Sequence, residues 1–181
     1  MADGIELPIE KLREMLDYDP ATGALVWKAR PREHFHDLRA WSTWLAQFVG
    51  KPAGTRQGGY VRLNITLDGV RHQISAHRAI WALVNNRWPP HDLDHRNGDR
   101  TDNRLSNLRE ATRAENVQNL RPTPTLGSWF DARTDRFAAM ISVNRKRTFL
   151  GRFKTREEAR AAYLAAKAML HPFQPVPREL S

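Results

Sequence analysis

Asp92-Leu93-Asp94-His95-Arg96-Asn97-Gly98-Asp99-Arg100-Thr101-Asp102-Asn103-Arg104-Leu105-Ser106-Asn107-Leu108 decides how this chain is read. A short apolar-flanked segment at 92–95 and the pair Leu105 and Leu108 enclose a loop of turn formers, Asn97 to Asn103. A hard divalent cation takes oxygen ligands, and Asp94 offers a carboxylate while Asn116, further along, offers an amide oxygen. His95 follows Asp94 directly. On an extended strand the two side chains point to opposite faces. One can therefore hold a cation while the other, a neutral imidazole near pH 7, acts as a general base toward water. Asn107 is placed to steady the imidazole through a hydrogen bond, the part a third group plays in base activation.

The rest of the composition narrows the partner. The chain has 181 residues with 29 Lys and Arg against 20 Asp and Glu, a formal net charge of +9. The excess grows along the chain: residues 1–50 are net −2, residues 51–120 net +4 and residues 121–181 net +7. Arginine outnumbers lysine 23 to 6, which suits the bidentate recognition of phosphate. A polyanion, nucleic acid first, is the expected partner. With no cysteine there is no disulfide framework, no thiol nucleophile and no cysteine-based zinc site. No apolar run approaches the 18 or so residues that span a bilayer. The acidic start Met1-Ala2-Asp3-Gly4-Ile5-Glu6 lacks the order of a signal peptide, so a cytoplasmic location without membrane contact is expected.

Outward from the central loop, the pattern is α+β. Pro8 opens a short helix with Ile9, Leu12, Met15 and Leu16 at helical spacing. Asp19 to Gly23 reads as a turn and Leu25 to Trp27 as a strand. Leu38, Trp41, Leu45 and Phe48 fit one helix face and are expected in the core. Residues 60–76 read as a hairpin: Val61, Leu63, Ile65 and Leu67 alternate with polar residues, and Asp68-Gly69 is a two-residue turn. Its polar face carries Arg62, Arg71 and Gln73. A helix over 77–86 is expected to bury Ile80, Trp81 and Val84, and Thr112 to cap a short helix. Arg121 to Thr125, with two prolines, reads as a linker. Beyond it come a strand on Phe137, Ala139, Ile141 and Val143, a turn at 144–146, a return over 147–151, and a Thr155-capped helix. That helix carries Ala159, Ala162, Tyr163, Ala166 and Leu170 on one stripe.

The stretch from Asp94 to Asn116, with Leu16-Asp17-Tyr18-Asp19-Pro20-Ala21-Thr22-Gly23, Gly58-Gly59-Tyr60 and Ala76-His77-Arg78 upstream, resembles the HNH homing-type endonucleases of phages. These belong to the ββα-metal nuclease superfamily. The resemblance covers roughly residues 7–120 and implies metal-dependent hydrolysis of DNA phosphodiesters. It implies His95 as general base, Asn107 as the residue that orients the loop and His95, and Asp94 with Asn116 as ligands of one Mg²⁺ or Mn²⁺ per site. The last motif position, often histidine, is asparagine here, a substitution found in the homing branch. His77 matches an upstream position and is read as a packing or phosphate-contacting residue.

Residues 126–173 are similar to the plant ethylene-response-factor type of DNA-binding domain, through Phe137-Ala138-Ala139-Met140-Ile141, Arg147 to Phe153 and Thr155 to Tyr163. That similarity implies a three-stranded sheet set in the major groove, with Arg133, Arg136, Arg145, Arg147 and Arg152 as contacts beside Arg62 and Arg71. The expectation is thus an α+β chain. An HNH domain at 1–120, with its catalytic core at about 76–120 and N-terminal antiparallel strands, precedes a small sheet-and-helix domain at 126–173. The partner is double-stranded DNA in a phage- or prophage-bearing bacterial cell, as monomer or homodimer. The competing expectation is a DNA-binding protein, repressor or architectural factor, on an inactive HNH scaffold.

Overall fold

The computed structural model describes residues 6–119 and 127–173. The proline-rich segment read as a linker lies outside the described residues. The fold is α+β, and it divides into two compact units at Glu110/Ala111, whereas the sequence reading drew the division after residue 120. Among the described residues no helix is long and apolar enough to cross a membrane.

The first unit begins with α1 (Ile9–Met15) and the antiparallel pair β1 (Leu16–Asp19) and β2 (Ala24–Trp27). After α2 (Leu38–Phe48), β3 (Thr55–Gln57), β4 (Tyr60–Leu67) and β5 (Val70–Ser75) form an antiparallel sheet. The β4–β5 turn is the one the sequence predicts. Asp68 and Gly69 both take positive φ, 51° and 75°, so Leu67 pairs directly with Val70. Alternation then buries Leu63, Ile65 and Leu67 and leaves Asn64 and Thr66 outside. Against this sheet lies α3 (Ala76–Asn85), which ends on Asn86 in the left-handed region. Leu12, Met15, Leu63, Ile65 and Ile80 are fully buried in one core. Of the three residues expected inside from α3, Ile80 is buried, Trp81 is half-buried and Val84 is exposed. Ala76, Ala79 and Ala82 take the buried places instead, because small side chains let the helix lie close, and Val84 falls on the uncovered last turn.

The α2 expectation is corrected more deeply. None of its residues is buried, and Leu38 and Phe48 are exposed. Asp37 caps the helix by accepting from the Ala40 amide at 2.7 Å. What ties the helix down is Arg30. Its guanidinium donates to the Thr66 carbonyl at 2.7 Å and lies 4.9 Å from the Phe35 ring and 5.3 Å from Trp44. Trp44 packs edge-on to Trp27, and the Trp41 indole donates to the Arg30 carbonyl. A buried cation thus recruits these aromatics by cation–π attraction, which a helical wheel cannot register.

Nearby, burial holds the His34 imidazole below its ordinary pKa, with Arg30 and Lys11 acting the same way and Glu14 opposing them. The unfolded chain therefore takes up a proton near pH 6.5 that the folded state refuses, so stability falls as pH drops from 7.5 to 5.5. His34→Gln should lose less stability over that interval than the wild type, measured by urea denaturation at both pH values.

The second unit begins with α4 (Arg113–Gln118), capped by Thr112 in a reciprocal box with Glu115. Then β8 (Ser128–Asp131), β9 (Arg136–Val143) and β10 (Lys146–Phe153) form an antiparallel sheet in the order β10-β9-β8, covered by α5 (Arg156–Leu170). The β9–β10 turn needs only Asn144 and Arg145, at φ 50° and 66°, so Lys146 already pairs with Val143. The return strand runs past the expected Gly151 to Phe153 through a bulge between Phe149 and Gly151.

Ala159, Tyr163 and Ala166 of α5 are buried with Ile141 against the sheet. Leu170, expected on the same stripe, is exposed at the helix end. Lys167 is buried instead, its ammonium donating to the Gln118 carbonyl at the end of α4 at 2.8 Å. Thr155 and Glu158 close a second capping box. Thr155→Ala should cost about 1 kcal/mol, and Thr155→Ser much less, in equilibrium urea denaturation of the full chain.

Candidate functional site

The strands β6 (Asp92–His95) and β7 (Leu108–Ala111) pair, and residues 96–107 loop between them. Polar side chains, rather than apolar packing, hold that loop. Asn107 is its hub. The Asn107 carbonyl accepts from the Arg96 amide at 2.8 Å and its Oδ1 from the Asn97 amide at 3.0 Å. Its Nδ2 donates to Asn97 Oδ1 at 2.9 Å and to the Asp102 carbonyl at 2.8 Å. Asp102 accepts from Asn97 and from both Nε and Nη2 of Arg104. The Arg104 hydrogen bond above all holds the Asp102 carboxyl down to about 2. From outside the loop, the Tyr18 hydroxyl accepts from the Leu105 amide at 2.9 Å.

At the base of this loop the His95 ring is buried. Its Nε2 lies 3.0 Å from Asn103 Oδ1, not on Asn107. The His77 ring centroid is 5.1 Å away and the Tyr60 ring 6.2 Å. Burial keeps the His95 pKa below the ordinary histidine value. The Asn103 hydrogen bond and the charges of Asp94, Asp99 and Asp102 oppose that shift without reversing it. At pH 7 the ring is therefore neutral, the form that accepts a proton. Asp94 meets different company: Arg109 of β7 binds its Oδ2 through Nε at 2.9 Å and Nη2 at 2.8 Å. The two neighbours on β6 thus serve separate sets of partners.

Arg62 joins the same neighbourhood, 5.6 Å from the Tyr60 ring and bonded to Ser75 Oγ. The Arg100 guanidinium lies 4.9 Å from the centroid of the same Tyr60 ring. Arg71 is exposed on the hairpin, donating to Asn64. Asn116 is half-buried on α4, in the second unit. In that unit, register puts Arg136, Arg147 and Arg152 with Trp129 and Phe149 on the sheet face away from the buried Ile141. Arg152 pairs with Asp131 at 3.2 Å and lies 5.3 Å from the Phe149 ring. Arg133 and Arg145 occupy the turns at the two ends of β9.

Among the described residues no group of three or more His, Cys, Asp or Glu side chains could enclose a metal ion. Taken each by itself, Asp94 offers a carboxylate and Asn116 an amide oxygen, donors of the kind a hard divalent cation takes. Sequence reasoning passed over Asn103, Arg100 and Arg109. Their types are common in loops and strands, and only the fold distinguishes the asparagine at the imidazole from its neighbours. No curated protein and no solved structure matches the chain. Residues 75–118, which include Asp94, His95, Asn107 and Asn116, match the HNH endonuclease family model, and this segment is similar to the nuclease domains that act on DNA.

Proposed function

We propose that this chain is a metal-dependent endonuclease that hydrolyses phosphodiester bonds in duplex DNA. The observation that carries the reading is a buried, neutral His95 hydrogen-bonded to Asn103 and adjacent in sequence to the Arg109-held Asp94. His95 takes a proton from a water molecule, whose oxygen attacks the phosphorus. The P–O3′ bond breaks and the leaving 3′-oxygen takes a proton from solvent water, giving a 5′-phosphate and a 3′-hydroxyl. Asp94 and Asn116 are the residues that would hold one Mg²⁺ or Mn²⁺, which when bound supplies Lewis-acid stabilisation of the leaving 3′-oxygen. Asn107 keeps the loop folded through its hydrogen bonds to Arg96, Asn97, Asp102 and Arg104. Arg62 and Arg71 contact the duplex from the first unit.

In the second unit, Arg133, Arg136, Arg145, Arg147 and Arg152 contact DNA in the manner of an ethylene-response-factor-like domain. Exposed Trp129 and Phe149 on the arginine-bearing face support that reading. The family branch proposed is the phage homing type, acting in the bacterial cytoplasm.

Supercoiled plasmid incubated with Mg²⁺ or Mn²⁺, beside an EDTA control, tests the proposal. Open-circular or linear product that requires the metal is expected, and their ratio reports nicking against double-strand cutting. Intact plasmid under both metals, with phage genomic DNA also uncut and duplex binding retained, would overturn it in favour of a DNA-binding protein.

A further inference from the structure

Along β9 the side chains of Arg136, Ala138, Met140 and Ser142 alternate with that of Ile141, which is buried against α5, so they share the opposite face of the sheet. Residues paired directly across strands point the same way. Asp131 therefore stands beside Arg136, Trp129 and Arg152 flank Ala138, Phe149 lies beside Met140, and Arg147 beside Ser142. The bulge between Phe149 and Gly151 brings Phe149 and Arg152 to one face, although residues three apart on a regular strand point to opposite sides. The face is thus ordered in four rows. The first and last each hold an arginine, and the two between them are mainly apolar. Trp129 is 45 % and Phe149 49 % exposed, while Ala138, between Trp129 and Arg152, is 1 % exposed. The middle rows form a shallow apolar trough with two aromatic walls.

Charge alone does not account for those rings. A phosphate takes a guanidinium and gains nothing from an indole or a phenyl ring, whose exposure to water is itself unfavourable. Three guanidiniums stand on the face against one carboxylate, Asp131, which already accepts from Arg152 Nε at 3.2 Å, so the face is positive. It fits a polyanion that presents an apolar group between its charges. In the major groove of duplex DNA that group is the C5-methyl of thymine. We propose that the rows of Trp129, Ala138, Met140 and Phe149 receive thymine methyl groups, with Arg136 and Arg147 on the flanking phosphates, so that the second unit selects duplex carrying thymine at the positions it covers. This inference rests on the reading that this sheet contacts DNA. Rows on one face of a strand are about 6.8 Å apart, near two base steps of about 3.4 Å, so two thymines about two steps apart fill both apolar rows. Arg152, 5.3 Å from the Phe149 ring and bound to Asp131, steadies one wall of the trough.

The test is binding by the full chain, in EDTA, to a duplex that the chain itself selects from a random-sequence pool. That duplex is then made twice, with thymine and with uracil at every thymine position; uracil lacks only the C5-methyl. Fluorescence anisotropy at one salt concentration should show the uracil duplex bound about 4-fold more weakly for one buried methyl lost, and about 15-fold for two. Phe149→Asn should erase most of that preference and Phe149→Leu should keep it. Trp129→Gln reads the other wall independently, should thermal denaturation show the asparagine variant to be unfolded. Equal affinity of the wild type for the two duplexes overturns the proposal and leaves DNA binding by the sheet standing. A preference undiminished in folded Phe149→Asn and Trp129→Gln also overturns it, because the methyl groups are then read elsewhere. The underlying reading has its own arm: Arg136→Ala with Arg147→Ala should weaken binding of both duplexes alike. Unchanged affinity for both, or a chain that selects no duplex, removes the sheet from DNA and the inference with it.

Discussion

Replacing His95 with alanine should lower the single-turnover cleavage rate by about 10²–10⁴-fold, the range that a positioned general base contributes. Binding of the duplex should change little, because the ring is buried among Asn103, His77 and Tyr60 and so offers DNA little surface. The measurement is a pre-steady-state time course at saturating enzyme, with affinity followed separately by fluorescence anisotropy. Removing a buried ring also leaves a cavity, and His95→Gln fills most of it while supplying no comparable base. Both variants should therefore be slow, while thermal denaturation separates the alanine variant by its lower stability. A rate within a few-fold of wild type in both would assign the proton to another group. The nearest imidazole is that of His77.

Gly23→Ala should carry the second large effect, and it acts at a distance along the chain. Gly23 sits at φ 75°, where a side chain is strained by about 1–3 kcal/mol. Added to that strain is a collision with backbone, since the new Cβ would meet Arg104 nitrogen and Asn103 carbon well inside contact distance. Backbone cannot swing aside as a side-chain end can. The loop must shift, and a displacement of about 1 Å at a catalytic group costs on the order of 10²-fold in rate. Gly58→Ala is the matched control: it has φ 58° and nothing within 4 Å of its Cβ, so it carries the strain alone. The expected result is a lower Tm in both variants and a large loss of cleavage only in Gly23→Ala. Equal rates in the two would mean that the β1–β2 turn does not support the site.

Much of the fold is legible because the forces involved are local. Asp68-Gly69 adopts its turn through backbone preferences of two residues, and the alternation from Val61 to Leu67 then assigns each side chain a face. Thr112 with Glu115, and Thr155 with Glu158, close capping boxes within one turn of chain. The Asp94–His95 pair is equally legible, since adjacency on a strand is a property of sequence. The α2 face is not. Leu38 and Phe48 have the right spacing for burial and remain exposed, because what anchors the helix is the guanidinium of Arg30 and the indole of Trp44. Lys167 was similarly unreadable: burying an ammonium depends on the Gln118 carbonyl, forty-nine positions away, being there to accept its proton.

By itself, then, the sequence determined the chemistry on offer: a basic, cysteine-free α+β chain with a carboxylate and an imidazole side by side, and a loop rich in amides. Tertiary structure alone decided how those amides divide their work. Asn107 and Asn103 are chemically identical and four residues apart, yet one ties the loop to itself and the other meets the imidazole. That choice depends on where the backbone at 103–105 is pinned, and Tyr18 and Gly23, more than 79 residues earlier, do the pinning. Contacts of that range arise only when the core between them has closed, so no local pattern can encode them.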